Sequence, residues 1–280
     1  MTSISILMTC YNRVETTLKC LSRLSELKVP SNFVLDIYLV DDNSPDQTGN
    51  IVKQNYRDVN VINGHGNLFW CRGMCLAWVT AIKKKNYDYF LWLNDDTFLY
   101  KYSLTELMNI SKKQNNNIIV SGSVQSKNNG VYTYGGLDAH GNKVLPNSSY
   151  NEIKYMNGNV VLVSKKIVQN IGIMDTVFTH HLGDYDYGLR AIKHGYKINT
   201  TTRYVGTCEN EKNSKLRARK MGVSLLKRFQ SLYSPLGSNP LMNYKYYKRH
   251  YSLYYAIKVI IYTHYINILS DNIYLNKYGE

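Results

Sequence analysis

The chain has 280 residues, 44% of them apolar, a globular composition that fits one large α/β domain with an appendage as well as two small domains. Thirty-four Lys and Arg against 20 Asp and Glu give +14, and residues 211–280 alone hold 12 basic and 3 acidic side chains, so an anionic partner or surface is expected and the excess sits in the tail. Five cysteines, an odd number without paired Cys-x-x-Cys spacing, argue against a zinc site and read as reduced thiols in a cytosolic protein.

Residues 1–3 run directly into a strand-like segment with no basic leader and no long apolar run, so no signal peptide is expected. Residues 4–8 form a first strand ending on Thr9-Cys10-Tyr11-Asn12-Arg13, and residues 14–27 carry Val14, Leu18, Leu21 and Leu24 at helical spacing. Pro30 and Asn32 break the pattern. A second strand over 34–40 ends on Asp41-Asp42-Asn43-Ser44, with a helix start near Pro45-Asp46. A short third strand, 59–63, leads into a glycine-rich loop over 64–73, and residues 75–84 read as a helix with a basic end. The next strand, 87–93, holds Phe90-Leu91-Trp92-Leu93 without alternation, which suits a central strand covered on both faces. It delivers Asn94-Asp95-Asp96-Thr97 to the rim of the sheet, where open α/β folds bind ligands. Asn and Asp are also ordinary turn residues, so this motif alone does not settle a function.

Strands alternating with helices in this order predict a mainly parallel sheet with right-handed crossovers, its loops 9–13, 41–44, 64–73 and 94–97 gathered on one edge. The pair Gly64 and Gly66 lacks a third glycine and follows the third strand, and no Gly-Lys-Ser/Thr loop is present, so a dehydrogenase or P-loop enzyme is disfavoured. Beyond residue 100 come a helix over 103–113, a strand over 118–122 and a Gly/Asn/Tyr-rich region over 126–151 that suits an acceptor site. An apolar strand over 160–163 follows Asn157-Gly158-Asn159, and a helix over 165–171 is closed by Gly172. A further helix starting near Asp184 places acid at its positive end. Asp184 and Asp186 stand two positions apart and so point to different sides: one can face solvent or a substrate while the other binds Arg190 at i+4.

In order and spacing these pieces resemble the inverting family 2 glycosyltransferases of the GT-A fold, especially bacterial members that build surface polysaccharides. The matching pieces are residues 9–13, Val40-Asp41-Asp42-Asn43-Ser44, the glycine-rich loop ending Arg72-Gly73, Leu93-Asn94-Asp95-Asp96-Thr97, and Gly183-Asp184-Tyr185-Asp186 followed by Leu189-Arg190. The resemblance implies a Rossmann-like α/β domain over residues 1–205, with a nucleotide-sugar half to about residue 100 and an acceptor half beyond it. It implies Mn²⁺ or Mg²⁺, hard cations that neutralise a diphosphate leaving group. Asp96 would be the metal ligand, with Asp95 on the metal or the ribose. Asp42 would contact the base or ribose, Thr9 and Tyr11 would line the nucleotide pocket, Arg13, Asp41 and Asn67 would complete it, and Arg72 would help with the diphosphate. Asp184 would be the general base on the acceptor hydroxyl, with Asp186 the second candidate, and in-line attack would invert the anomeric centre. Two positions depart from the family pattern: Asn94 opens the Asp-x-Asp motif, and Gly183 stands where a glutamate precedes the base.

Residues 206–280 read as a basic, Tyr-rich helical tail. Cys208 falls where many relatives carry a histidine that touches metal or diphosphate; a plain loop cysteine is the other reading. Lys212, Lys215, Arg217, Arg219 and Lys220 form either a basic lid over the diphosphate or a solvated face. Tyrosines interleaved with Lys245, Lys248, Arg249 and Lys258 suit an anionic membrane surface, or plain packing and a dimer contact. The expectation is an enzyme moving a hexose or deoxyhexose from a nucleotide-diphosphate sugar to a lipid-linked glycan, in the cytoplasm or on the inner face of the membrane, with no nucleic-acid partner. The alternative is a degenerate nucleotide-, glycan- or RNA-binding module using the basic tail.

Overall fold

The computed structural model of the chain describes residues 1–210 and 218–278. In chain order the elements are β1 (Thr2–Cys10), α1 (Val14–Ser25), β2 (Phe33–Asp41), α2 (Thr48–Asn55), β3 (Val59–Asn63), α3 (Phe69–Lys84), β4 (Tyr89–Leu93), β5 (Phe98–Leu99) and α4 (Ser103–Lys113). Then come β6 (Ile118–Ser121), β7 (Val124–Gln125), β8 (Tyr132–Tyr134), β9 (Gly136–Leu137), β10 (Glu152–Ile153), β11 (Tyr155–Met156), β12 (Val160–Ser164), α5 (Lys165–Ile171), α6 (Gly183–Lys193), β13 (Lys197–Thr200) and β14 (Gly206–Thr207). The tail holds α7 (Leu225–Tyr233), α8 (Pro240–His250), α9 (Leu253–Ile268) and α10 (Asp271–Tyr278).

Eight strands form the main sheet in the order β10-β13-β6-β12-β4-β1-β2-β3. Strands β3, β2, β1 and β4 run parallel, as strands joined by crossover helices must. Strand β12 runs antiparallel between β4 and β6, with Val160 opposite Leu93. Its amino end therefore reaches the same edge as the carboxyl ends of β1, β2 and β4. All five residues of β4 are buried, as the missing alternation predicts. On one face Ile4, Ile6 and Met8 of β1 join a core with Cys20, Leu21 and Leu24 of α1. On the other, Trp78 of α3 packs edge-on against Trp92 of β4, ring centroids 5.4 Å apart. Two smaller sheets, β5-β14-β7-β8 and β11-β9, draw β8 and β9 from the Gly/Asn/Tyr-rich region.

Helix α3 begins at Phe69, six residues before the sequence reading, so Arg72 and Gly73 lie in a helix and not in a loop. The reason is tertiary. No side chain caps this helix from within the segment, but Asp42 accepts hydrogen bonds from the Leu68 and Phe69 amides at 2.8 and 3.0 Å. Those bonds also hold Phe69 at φ 56°, a conformation costly for a bulky residue.

The chain divides into two compact units, Met1–Thr179 with Gly183–Asn210, and His180–Leu182 with Glu211–Glu280. Apart from His180–Leu182, the nucleotide-sugar and acceptor halves read from the sequence fall in one unit. In the second, Arg219 and Arg228 converge on Asp271, and Arg219 is 3% exposed. Arg219 therefore belongs to an ion-pair network on the partly exposed Asp271 and not to a solvated basic face. Lys212, Lys215 and Arg217 of the same run lie outside the described residues. Helix α9 leaves Tyr254, Ile257, Ile261, Tyr262 and Ile268 exposed. Among the described residues, no helix is long and apolar enough to cross a membrane.

Candidate active site

The parallel strands deliver their loops to one edge, and there the acids divide into those that hold the fold and those left open. Asp41 is nearly buried, and its two oxygens accept from the Ser44 and Gly49 amides at 3.0 and 2.9 Å. Asp42 is committed likewise, its second oxygen accepting from the Gly66 amide at 2.8 Å. Both carboxylates are thus occupied in shaping loops, and a ribose or base contact at Asp42 would share oxygens with those amides. Thr9 lies directly under α3, where a Cβ at Gly73 would come 2.4 Å from its hydroxyl oxygen. Tyr11 and Asn67 are exposed at the rim. Arg72 donates from Nε to the Thr176 carbonyl at 2.9 Å.

The turn after β4 separates its two acids. Asp95 is 5% exposed and points inward, accepting from the Thr17 hydroxyl of α1 at 3.1 Å. Burial and the neighbouring Asp96 charge push its pKa up to about 7, against the pull of Arg13 and Thr17. Asp96 stays partly open. Arg13 donates from Nη1 to its Oδ2 at 2.8 Å, and the Cys208 thiol stands 3.6 Å from its Oδ1. Burial first, then the Asp96 charge, raises the Cys208 pKa to about 12, so the sulfur stays a neutral thiol that can donate to the carboxylate.

Asn94 turns the other way. Its side-chain oxygen accepts from the Trp70 indole at 2.7 Å, and its amide donates to the Asn159 carbonyl at 3.0 Å. The Trp70 ring covers Gly158 so closely that a Cβ there would lie 2.3 Å from it. The Gly158 amide in turn donates to Asp184 Oδ2 at 3.0 Å, and the Tyr185 amide donates to Oδ1 at 2.9 Å. Asp184 therefore connects to Asn94 through Gly158 and Trp70. It sits deep among protein atoms while keeping part of its surface open, and burial raises its pKa to about 6 despite the two amide bonds. Asp186 faces the interior, fully buried, and receives Arg190 Nε at 2.9 Å. The i+4 pair expected from the sequence is present, and it takes Asp186. Under these groups, Trp70, Trp78, Trp92 and Tyr187 form an aromatic floor with neighbouring centroids 5.2–6.4 Å apart.

Gly183 has a structural cause as well. A Cβ at this position would stand 2.3 Å from the Cys71 sulfur, so α6 can begin against α3 only without a side chain. The sequence reading did not single out Trp70, Thr17 or Gly158. A tryptophan beside a glycine-rich loop and the Asn157-Gly158-Asn159 triplet before a strand were the signals for two of them. Thr17 carried none, because a helical threonine facing a carboxylate is visible only in the fold.

Residues 5–172 match the family described as Glycosyl transferase family 2. The chain belongs to that family. No curated protein matches it by sequence. Among solved structures, this family 2 glycosyltransferase resembles the mannosyltransferase PcManGT from Pyrobaculum calidifontis, solved with GDP-Man and Mn²⁺, at 13% identity and a TM-score of 0.57 over 93% of this chain and 73% of that one. It also resembles TarS residues 1–349 from S. aureus, at 12% identity and a TM-score of 0.55 over 100% of this chain and 93% of that one. At such identities the likeness shows the fold, which is GT-A: a mixed α/β sheet flanked by helices. A further TarS structure holds UDP-GlcNAc, with a TM-score of 0.53 over 100% of this chain and 76% of that one.

Among the described residues of the family 2 glycosyltransferase, no group of three His, Cys, Asp or Glu side chains is arranged to hold a metal ion. The residues nevertheless fit a divalent cation that arrives with a diphosphate, because Mg²⁺-like ions commonly take one or two carboxylates and fill the remaining positions with phosphate oxygens and water. Asp96 is the partly open carboxylate at the end of β4 that suits this part.

Proposed function

We propose that the protein is an inverting glycosyltransferase that moves a hexose or deoxyhexose from a nucleotide-diphosphate sugar to a glycan acceptor, lipid-linked and destined for a cell-surface polysaccharide. The observation that carries the reading is the connected pair of motifs: Asp184 and the Asn94–Asp96 turn flank Trp70 at one sheet edge, and one carboxylate of each motif, Asp184 and Asp96, stays partly exposed. Asp184, with its pKa near 6, is mostly ionised at neutral pH and basic enough to accept a proton from a sugar hydroxyl. The Gly158 and Tyr185 amides fix its orientation. Arg13 offers positive charge beside Asp95 and Asp96, and the aromatic floor excludes water from below. Asp96 would hold Mn²⁺ or Mg²⁺, and when bound that cation would neutralise charge on the departing nucleoside diphosphate. Asp186, held by Arg190, is better suited to anchoring α6 than to taking the proton. That leaves Asp184 as the base.

Thr9, Tyr11, Arg13 and Asn67 would line the nucleoside's place beyond β1 and β2, and the exposed tyrosines and isoleucines of α9 with Lys258 support docking of the tail on an anionic membrane surface.

Calorimetry with UDP, dTDP and GDP, each with Mn²⁺ and with EDTA, tests the reading on the wild type and Asp96→Ala. One nucleotide should bind in a metal-dependent way, and the variant should lose at least about tenfold in affinity, or about 1.4 kcal/mol. Absence of nucleotide binding, or binding indifferent to metal and to Asp96, would favour a glycan- or RNA-binding module instead.

A further inference from the structure

A cleft of about 400 Å³ lies between α1, β5 and the loop after β7, and no part of the donor reading uses it. Its rim carries Lys19, Arg23, Lys101 and Lys127, and its lining includes Phe98 and Tyr100. The one acid in the lining, Glu26, is paired with Arg23 at 2.8 Å, so the cleft keeps a net positive charge. Lys19 sits 4.5 Å from the centroid of the Phe98 ring. Tyr100 accepts from Gln125 Nε2 at 3.0 Å, which fixes its hydroxyl.

The wall opposite α1 is built and not merely a loop of chance conformation. Glu209 accepts from the Ser126 hydroxyl at 2.8 Å and the Lys127 amide at 2.7 Å, tying that loop to the strand register in which Thr207 faces Phe98. Thr207 lines the cleft, while Cys208, the next residue, reaches Asp96. Successive side chains of an extended chain point to opposite faces, so the cleft opens across this segment from the candidate metal ligand.

We infer that this cleft binds an anionic stretch of the acceptor glycan, a sugar chain bearing phosphodiester or carboxylate groups, away from the point of transfer. The inference rests on the glycosyltransferase reading above. The net positive charge attracts the anionic groups, Gln125 and Thr207 offer hydrogen bonds to hydroxyls, and the Tyr100 ring suits the apolar face of a sugar. A nucleic-acid base is a poorer match, because Lys19 already covers the Phe98 ring on which it would stack. A site of this kind would hold a long acceptor in place between transfers.

The test uses the full chain and the Lys19→Ala/Lys101→Ala/Lys127→Ala variant. Four oligomers of matched length serve as probes: a glycerol-phosphate oligomer, an oligogalacturonate, a neutral malto-oligosaccharide and an oligouridylate. Nucleotide binding with Mn²⁺ and thermal melting are measured on the same samples. The wild type should bind one or both anionic glycans at least about tenfold tighter than the neutral one, and the variant should lose about that factor, as three exposed charge contacts would together supply. Its melting and nucleotide binding should be unchanged. Which anionic probe binds identifies phosphodiester or carboxylate. The inference is overturned if the wild type binds neither anionic glycan, if it binds the neutral one equally, if the variant matches the wild type, or if oligouridylate binds as tightly. Anionic-glycan binding lost in the variant, in a protein that binds no nucleotide, would uphold the cleft while refuting the transferase reading.

Discussion

At the scale of single residues, two neighbouring positions carry the chemistry and its constraint. Asp184 should be the residue whose charge state the reaction reports. Because burial lifts its pKa to about 6, and the base must be ionised to accept a proton, kcat should rise with pH through that value and level off above it. Asp184→Asn should lower kcat by about 10²- to 10⁴-fold while leaving nucleotide affinity intact, a split that a folding defect would not produce. The same shift bears on stability. A carboxyl with a raised folded-state pKa favours the fold at pH below its unfolded value of 3.8, and this contribution is lost as pH rises through about 6. Relative to the wild type, Asp184→Asn should therefore gain stability between pH 4 and 7, by at most about 3 kcal/mol and less because part of the carboxylate is open to solvent. Parallel pH profiles of the two melting curves would contradict the assignment. Gly183 carries the constraint. Restoring a glutamate there would force a side chain into the Cys71 sulfur, and Gly183→Ala alone should cost about 1–3 kcal/mol in denaturant titration. Adding Cys71→Ala should recover part of that loss, since it removes the atom in the way.

At the scale of elements, what matters is how helices are pinned to the sheet edge. Helix α6 presents Asp184 because Arg190 locks the other face: its guanidinium takes Asp186 and donates to the Ile171 and Ile173 carbonyls at 2.7 Å each. Arg190→Ala would leave the buried Asp186 without that cation, and a loss of about 3–5 kcal/mol in denaturant titration is expected. A loss under about 1 kcal/mol would mean that other groups hold α6 in place. Helix α3 is pinned by Asp42 at its first turn and by Gly73 over Thr9. This arrangement was only half legible in the sequence. The strand pattern places β1 to β4 to within two residues at each end, since runs of buried apolar positions between polar loops have few other interpretations. The start of α3 is not legible in its own segment because its cap lies 26 residues earlier in the chain, on the far side of a strand.

At the scale of the whole molecule, the charge is divided as the composition indicated, with the tail both basic and rich in exposed apolar side chains. Vesicles of anionic phospholipid should bind the protein, vesicles of neutral phospholipid should bind it less, and added salt should weaken the first interaction. Substituting Ile257→Glu and Ile261→Glu on α9 should reduce vesicle binding by at least about tenfold, because two exposed isoleucines would otherwise enter the interface. Equal binding of the variant and the wild type in a flotation assay would leave the tail a packing element. The sequence by itself determined the α/β class, the mainly parallel character of the sheet, the family and the edge at which the acids collect, because these follow from hydrophobic periodicity and from motifs in a fixed order. Only the tertiary structure decided which acid of each pair stays open. Asp95 turns onto Thr17 and Asp186 onto Arg190, and Asp41 and Asp42 are occupied by loop amides. A carboxylate's role depends on which donors the fold brings within about 3 Å of it, and sequence spacing carries that information only when the partner is local, as Arg190 is to Asp186.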